Sequence, residues 1–262
     1  MTTVDELAAL TDPAATAHEA ERQLAETDDP RIRSGLLHML GIAQRTMGLS
    51  DSSIASLEAS IEAAASTDDP ALRASVELTL SGSLATAGEL DAATVMLDGA
   101  EAHLPQDRLP RAWTQRASIE ARFGAFEKAL DLFEEAEPAL AASGDNIWLL
   151  RLLGNRGLIH AYAGAFDLAT EDLERALVIG TDLGLDADVA VSKHNLGWAR
   201  SRQADIVAAI QLYDEAEAML KALDHPLNEL LLDRAEVLVT ARLLAEALET
   251  AALAIEEIEE HG

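Results

Sequence analysis

Two stretches decide the fold: GNRGLIHAYAGAFDLATEDLERAL, from Gly154 to Leu177, and HNLGWARSRQADIVAAIQLYDEA, from His194 to Ala216. They pair without a gap, so that Asn155 falls on Asn195, Gly157 on Gly197 and Ala169 on Ala209. A second anchor, TDDP, occurs at Thr27–Pro30 and again at Thr67–Pro70. Self-similarity at this distance is the signature of a repeat array, which has to be tested before a single globule is considered.

Working outward, six copies align on fixed offsets. A small residue opens each: Gly41, Ser81, Ala117, Gly157, Gly197, Ala235. A turn position follows seven residues on: Gly48, Gly88, Gly124, Gly164, then Ala204 and Arg242. Next comes a small–large–small set: Ser53, Leu57, Ser60; Ala93, Leu97, Ala100; Ala129, Phe133, Ala136; Ala169, Leu173, Ala176; Ala209, Tyr213, Ala216; and Ala247, Ala251, Ala254. That set is spaced i, i+4, i+7, which places it on one face of a helix. The small opening residue lets a first helix (A) approach a second (B). The turn glycine ends helix A and reverses the chain. No hairpin of this kind buries its apolar face alone, so hairpins must stack.

The pattern resembles the tetratricopeptide repeat family, on the opening small residue, the turn glycine and the small–large–small face, over roughly residues 31–260. The resemblance implies an all-α fold: a right-handed superhelical solenoid of about six to seven antiparallel helix pairs. The expected organisation is capping helices over 1–30 and an array over 31–262, with repeats near 31–67, 70–104, 108–143, 146–183, 186–223 and 226–260. The family period is shorter than the spacing here. The surplus is expected in longer B helices or in looser B-to-A connections such as STDDP, AHLPQDRLP, AASGDN and TDLGLDAD, which hold turn-forming residues. The end of the chain, AIEEIEEHG, leaves Leu253, Ile255 and Ile258 for packing. It reads as the end of a fragment, or as a surface covered by a partner or a second copy.

Composition agrees with helix packing. Apolar residues make up 49 % of the chain and aromatic residues only 3 %, which favours close helix contacts over sheets. A net charge of −28 repels phosphate over most of the surface, so nucleic acid is not an expected partner. The chain has no cysteine, which removes disulfides and thiolate chemistry. MTTVDELAALTDP lacks the basic and apolar regions of a signal peptide, and no apolar run reaches the length of a membrane span, so the expected location is cytoplasmic.

Catalytic and metal motifs do not assemble, and neither a cofactor nor enzymatic activity is expected. His18–Glu19 opens a zinc-type HExxH, but Arg22 stands where the second histidine belongs. Asp182, Asp186 and Asp188 miss calcium-loop spacing, and Gly154 and Gly157 lie inside a helix rather than after a strand. Pairs such as Glu134–Glu135 read as solvated faces, and His160 as a satisfied packing residue.

The bases are distributed unevenly. Of 19, only Arg22, Lys128, Arg175 and Lys221 fall on B-type helices. The resemblance implies that A helices line a concave inner surface, which would then be locally basic. One stripe on the A helices reads Arg111, Gln115, Ser118, Arg122; then Arg151, Asn155, Leu158, Tyr162; then Val191, Asn195, Trp198, Arg202. By resemblance these positions face a groove, and the asparagines of N-x-G (Asn155) and N-L-G (Asn195) bond a ligand's backbone. The candidate partner-binding residues are therefore Arg111, Gln115, Arg122, Arg151, Asn155, Tyr162, His194, Asn195, Trp198 and Arg202. An amide supplies donor and acceptor, arginine forks suit carboxylates, and the aromatics give rigid contact area. The sixth copy places Glu229, Asp233 and Glu236 on the stripe, where the groove ends or changes sign.

The style of HNLGWAR, YDEAEAMLKAL and LLLDRAEVLVTARLLAEAL, with D-R-A-x-V-L at Asp233–Leu238, also resembles the repeat region of actinobacterial proteins that carry a CHAT domain, a caspase-like peptidase. That implies the sensing or regulatory part of a larger bacterial system. The functional expectation is an interaction module for a protein or peptide partner, an acidic one being a good match. The alternative is a scaffold that forms a homodimer through the C-terminal hairpin around Leu244, Leu248, Leu253 and Ile255.

Overall fold

Helix starts follow directly from the DDP and TDP motifs. Asp12, Asp29 and Asp69 each accept a hydrogen bond from a first-turn backbone N–H, and Pro13, Pro30 and Pro70 each open the helix that follows. The proline sits where its missing N–H costs nothing, and the carboxylate satisfies an orphan donor. Part of what reads as linker in STDDP is thus the first turn of the next helix.

The computed structural model describes residues 5–223 and 225–261. Among them are fourteen α-helices and one short 3₁₀ turn, and no strand. The chain divides into two compact units, one running to Gly144 and the other from Asp145. The first holds α1 (Glu6–Thr11), α2 (Pro13–Leu24), α3 (Pro30–Thr46), α4 (Ser50–Ala65), α5 (Pro70–Thr86), α6 (Leu90–Glu101), α7 (Leu109–Arg122) and α8 (Phe126–Ser143). The second holds α9 (Asn146–Tyr162), α10 (Phe166–Leu183), α11 (Asp186–Arg202), α12 (Ile206–Ala222), α13 (Asn228–Thr240) and α14 (Leu244–His261). From α3 on, odd-numbered helices are A helices and even-numbered ones are B helices. Each A helix packs against the B helix that follows it.

All six A-to-B turns are built alike. The turn residue has positive φ at Gly48 (77°), Gly88 (84°), Gly124 (80°) and Gly164 (77°), and also at Ala204 (63°) and Arg242 (62°). The N–H after it reaches back to a carbonyl five residues earlier, as in Leu49 to Gln44 at 2.9 Å and Asp205 to Arg200 at 3.0 Å. That bond satisfies one of the last carbonyls of helix A. At Ala204 and Arg242 the same turn forces a β-carbon into the left-handed region, at about 1–2 kcal/mol per residue. Ala204→Gly is therefore expected to raise stability by about 1 kcal/mol, seen as a higher urea midpoint at unchanged slope.

The longer period is absorbed mainly by the helices. In the second unit α10 runs to Leu183, and only Gly184 and Leu185 separate it from α11, so most of TDLGLDAD is helical. In the first unit α8 likewise continues to Ser143, through most of AASG. Gly144 and Gly184 stop these helices at φ 70° and 69°. The stretch AHLPQDRLP does form a longer connection, over residues 102–108, with a 3₁₀ turn at Gln106–Arg108.

The packing code is met at nearly every position. The small–large–small residues of α4, α6, α8, α10 and α12 are fully buried. A β-carbon on Gly41 would lie 2.6 Å from Leu57 Cγ, and one on Gly157 would lie 2.8 Å from Leu173 Cγ. Both are closer than atoms can approach, so in these two pairs only glycine admits the B-helix leucine. Where α4 carries serine at the small positions, the hydroxyls find partners. Ser53 donates to the Gly41 carbonyl at 2.8 Å, and Ser60 donates to that of Ser34 at 2.7 Å. The last copy departs from the others: α14 buries Ala247 and Ala254 but leaves Leu244, Leu248, Leu253, Ile255 and Ile258 exposed.

Candidate partner-binding face

In the second unit the A helices α9, α11 and α13 lie in sequence, each touching the next. Their stripe residues meet across the helix boundaries. The rings of Tyr162 and Trp198 are 4.8 Å apart and tilted by 55°. Arg202 stacks its guanidinium over the Trp198 ring at 4.9 Å and donates to Glu236 on α13 at 3.1 Å. One row therefore runs tyrosine, tryptophan, arginine, glutamate over three helices. Arg151 lies 4.8 Å above the Trp148 ring on its own helix. Such contacts hold flexible cations in place over apolar surface.

Exposure separates the stripe from the core. Tyr162 is 61 % exposed and Val191 46 % exposed, while Leu152, Leu153 and Ala199 on the same helices are fully buried. Asn155 is exposed and Asn195 half-buried. The Asn195 amide has no hydrogen-bond partner among the described residues. His194 is placed differently. Its side chain is only 12 % exposed, Nε2 lies 2.8 Å from an Asp233 carboxylate oxygen, and the ring tilts against Tyr213 at 5.7 Å. It bridges α11 to α13 instead of presenting itself to solvent. The buried hydroxyl of Tyr213, on α12, has no partner among the described residues. Burial, with Asp233 and Glu236 nearby, pushes its ionisation upward.

In the first unit the stripe is composed differently. Arg122 is exposed and has no partner among the described residues. Gln115 on α7 and Arg45 on α3 both reach the space above Gly82 on α5: its β-carbon position lies 3.3 Å from Gln115 Oε1 and 3.1 Å from Arg45 Nη1. Arg111 Nη1 is 3.4 Å from Glu6 on α1. His38 on α3 bonds Thr79 on α5 at 2.7 Å, and burial holds its imidazole down at about 4, with Glu6 opposing and Arg45 reinforcing that shift.

Not all of the bases on A helices stand on the stripe. Several of those cations turn toward B helices. Arg116 pairs with Asp98 and Glu101 on α6, Arg156 with Asp172 on α10 and Arg200 with Glu174 on α10. Lys193 pairs with Glu215, and Arg234 with Asp214 and Glu217, on α12. A helix has two sides, and here the B-helix acids draw the cations to the far one. Arg156 and Asp172 form a buried two-pronged pair at 2.7 and 2.8 Å, with His160 at 4.0 Å and Arg175 at 3.7 Å from the same carboxylate. Among the described residues no group of three His, Asp or Glu is placed to hold a metal ion, and no helix is long and apolar enough to cross a membrane.

The sequence of the second unit carries a family signal of its own. Residues 148–222 match the tetratricopeptide repeat. That segment spans α9 through α12. Solved structures extend the likeness over nearly the whole chain. A Rap protein complexed with competence and sporulation factor superposes at TM-score 0.72 and 14 % identity, over 94 % of this chain and 69 % of its own. The Cut9–Hcn1 hetero-tetramer of the APC/C gives TM-score 0.69 at 13 % identity, over 96 % of this chain and 46 % of that one. A signal-transduction ATPase with a tetratricopeptide repeat sensor, from Pyrococcus horikoshii, gives 0.69 at 12 %, over 95 % and 41 %. At such identities the likeness establishes the fold: tetratricopeptide-like stacked helix pairs. No curated protein sequence matches the chain.

Proposed function

We propose that this chain is a non-catalytic protein-interaction module, and that its second unit holds a peptide or protein segment along the exposed stripe of α9, α11 and α13. The observation that carries this reading is the Asn195 amide. It stands on the stripe with no hydrogen-bond partner among the described residues, one turn from the Tyr162–Trp198 pair. A solvent-accessible amide beside rigid aromatic area offers what an extended backbone needs: a donor, an acceptor and an apolar seat. Arg151 would meet an acidic side chain, as would Arg202 on exchanging Glu236 for it, and Glu229 would repel one, so the ligand's acidic end lies toward α9. Partner complexes among structures of the same fold support the reading, as Rap with its factor and Cut9 with Hcn1 do.

The test is a double substitution, Asn155→Ala with Asn195→Ala, in the full chain. Affinity for the partner captured by the wild type should fall about tenfold or more, with helicity and melting temperature unchanged. Undiminished capture would reject the groove.

We also propose a broader role, as the cytoplasmic sensing or regulatory part of a larger bacterial system such as a CHAT-linked one; that such an array can serve as a sensor is supported only by the repeat sensor of the signal-transduction ATPase. A second reading, homodimerisation, draws on α14, where Leu248 is 74 % and Leu244 59 % exposed. It requires a concentration-dependent dimer by light scattering that Leu248→Glu abolishes.

A further inference from the structure

The face of the first unit already has an occupant. Helix α1 has six residues, ELAALT, capped by Asp5, which accepts from Ala8 N–H at 2.8 Å. Alone in water, a helix of that length does not persist. It forms here because Ala9 is fully buried against Ile42 and Ala43 of α3, with Met39 and Leu10 beside them. Met39 and Ile42 stand at the same offsets from Gly41 as Gln115 and Ser118 do from Ala117. They are stripe residues of α3, so α1 lies on the A-helix face and not on the side facing α4. From there Glu6 reaches Arg111, a stripe residue of α7, a sequence separation of 105 positions. A short acidic helix is thus laid across the face, its apolar side on α3 and its carboxylate on the α7 arginine.

It is held lightly. Among its described residues only Ala9 is fully buried, Leu10 is partly so, and the Glu6–Arg111 pair joins groups that are 26 % and 20 % exposed. The stripe of the second unit, by contrast, leaves Tyr162 and Val191 exposed. Segments with so few buried contacts open locally at little cost while the core stays folded.

We propose that α1 is a removable occupant of the first unit's A-helix face, and that the face accepts in its place a short acidic amphipathic helix of a protein partner, with a carboxylate on Arg111 and a small side chain against Ile42 and Ala43. This device regulates access to a face other than the one proposed above, and stands or falls independently of it.

The test uses the full chain carrying Ala9→Arg, whose guanidinium cannot be buried at that position, so that α1 is expelled. The probe is a fluorescent synthetic peptide of residues 1–12, followed by anisotropy. The variant should bind it saturably. The wild type should bind it at least about tenfold more weakly, because its own tethered α1 competes at a high effective concentration. Adding Arg111→Glu to the variant should weaken binding about fivefold, and Glu6→Arg in the peptide should restore it. In the wild type, amide exchange over Ala8–Thr11 should outpace that over Leu36–Ala43 by orders of magnitude. Equal peptide binding by variant and wild type would overturn the proposal. So would a loss of far-UV helicity on Ala9→Arg larger than the six residues of α1 can account for, or exchange of α1 only together with α3, because α1 would then be part of the core.

Discussion

Asp172→Ala is expected to destabilise the second unit by about 3–5 kcal/mol, the cost of leaving a buried arginine without its counter-charge. Arg156 and Asp172 side chains are 10 % and 6 % exposed and share two hydrogen bonds between α9 and α10. Arg175, 42 % exposed and 3.7 Å away, can turn to water when the carboxylate is removed, but Arg156 cannot. Replacing both members by apolar residues of similar size, Arg156→Met with Asp172→Leu, should recover most of the loss, since desolvation offsets much of the attraction in the native pair. Urea unfolding followed by circular dichroism measures both. A single substitution costing under about 1 kcal/mol would show that water reaches the pair. Because Arg156 adjoins Asn155 on α9, the single variant should also lower affinity at the proposed face, and the apolar double variant should not.

Phe133→Ala should destabilise the first unit by about 3–5 kcal/mol. Phe133 is fully buried on α8 between Ala129 and Ala136, also fully buried, so small neighbours have no side-chain mass with which to fill the void. The cost combines lost transfer energy with an unrelaxed cavity. Phe133→Leu keeps a large side chain in the same slot and should cost about 1–1.5 kcal/mol. Thermal and urea unfolding of the two variants together separate volume from hydrophobicity. Equal losses would mean that the slot demands an aromatic ring and not merely bulk.

Much of this architecture is written locally. The small–large–small set is legible because its spacing reports a single helical face, and burial of Leu57, Leu97, Phe133, Leu173 and Tyr213 follows once hairpins stack. The turn position is legible even where glycine is missing. Ala204 and Arg242 adopt positive φ because the five-back hydrogen bond and the packing of both helices impose it. Linker lengths were harder to see. Gly184 looks like the middle of a loop, yet a single left-handed residue stops α10 and lets α11 begin within two positions. The stripe itself was legible as a face, and Tyr162 and Trp198 do meet there, but what else touches it was not.

What the sequence by itself determined is the repeating helix pair, because each hairpin's apolar code, its caps and its reversal act within some forty residues. Only tertiary structure decided how the charges are used. A side chain's place on a helix does not say which neighbour's carboxylate lies within its reach. So Arg116, Arg156, Arg200 and Arg234 turn to B-helix acids, His194 folds onto Asp233, and Glu6 finds Arg111 across three A helices. These pairings depend on distances set only when the helices have packed, and they, more than composition, decide which faces remain available to a partner.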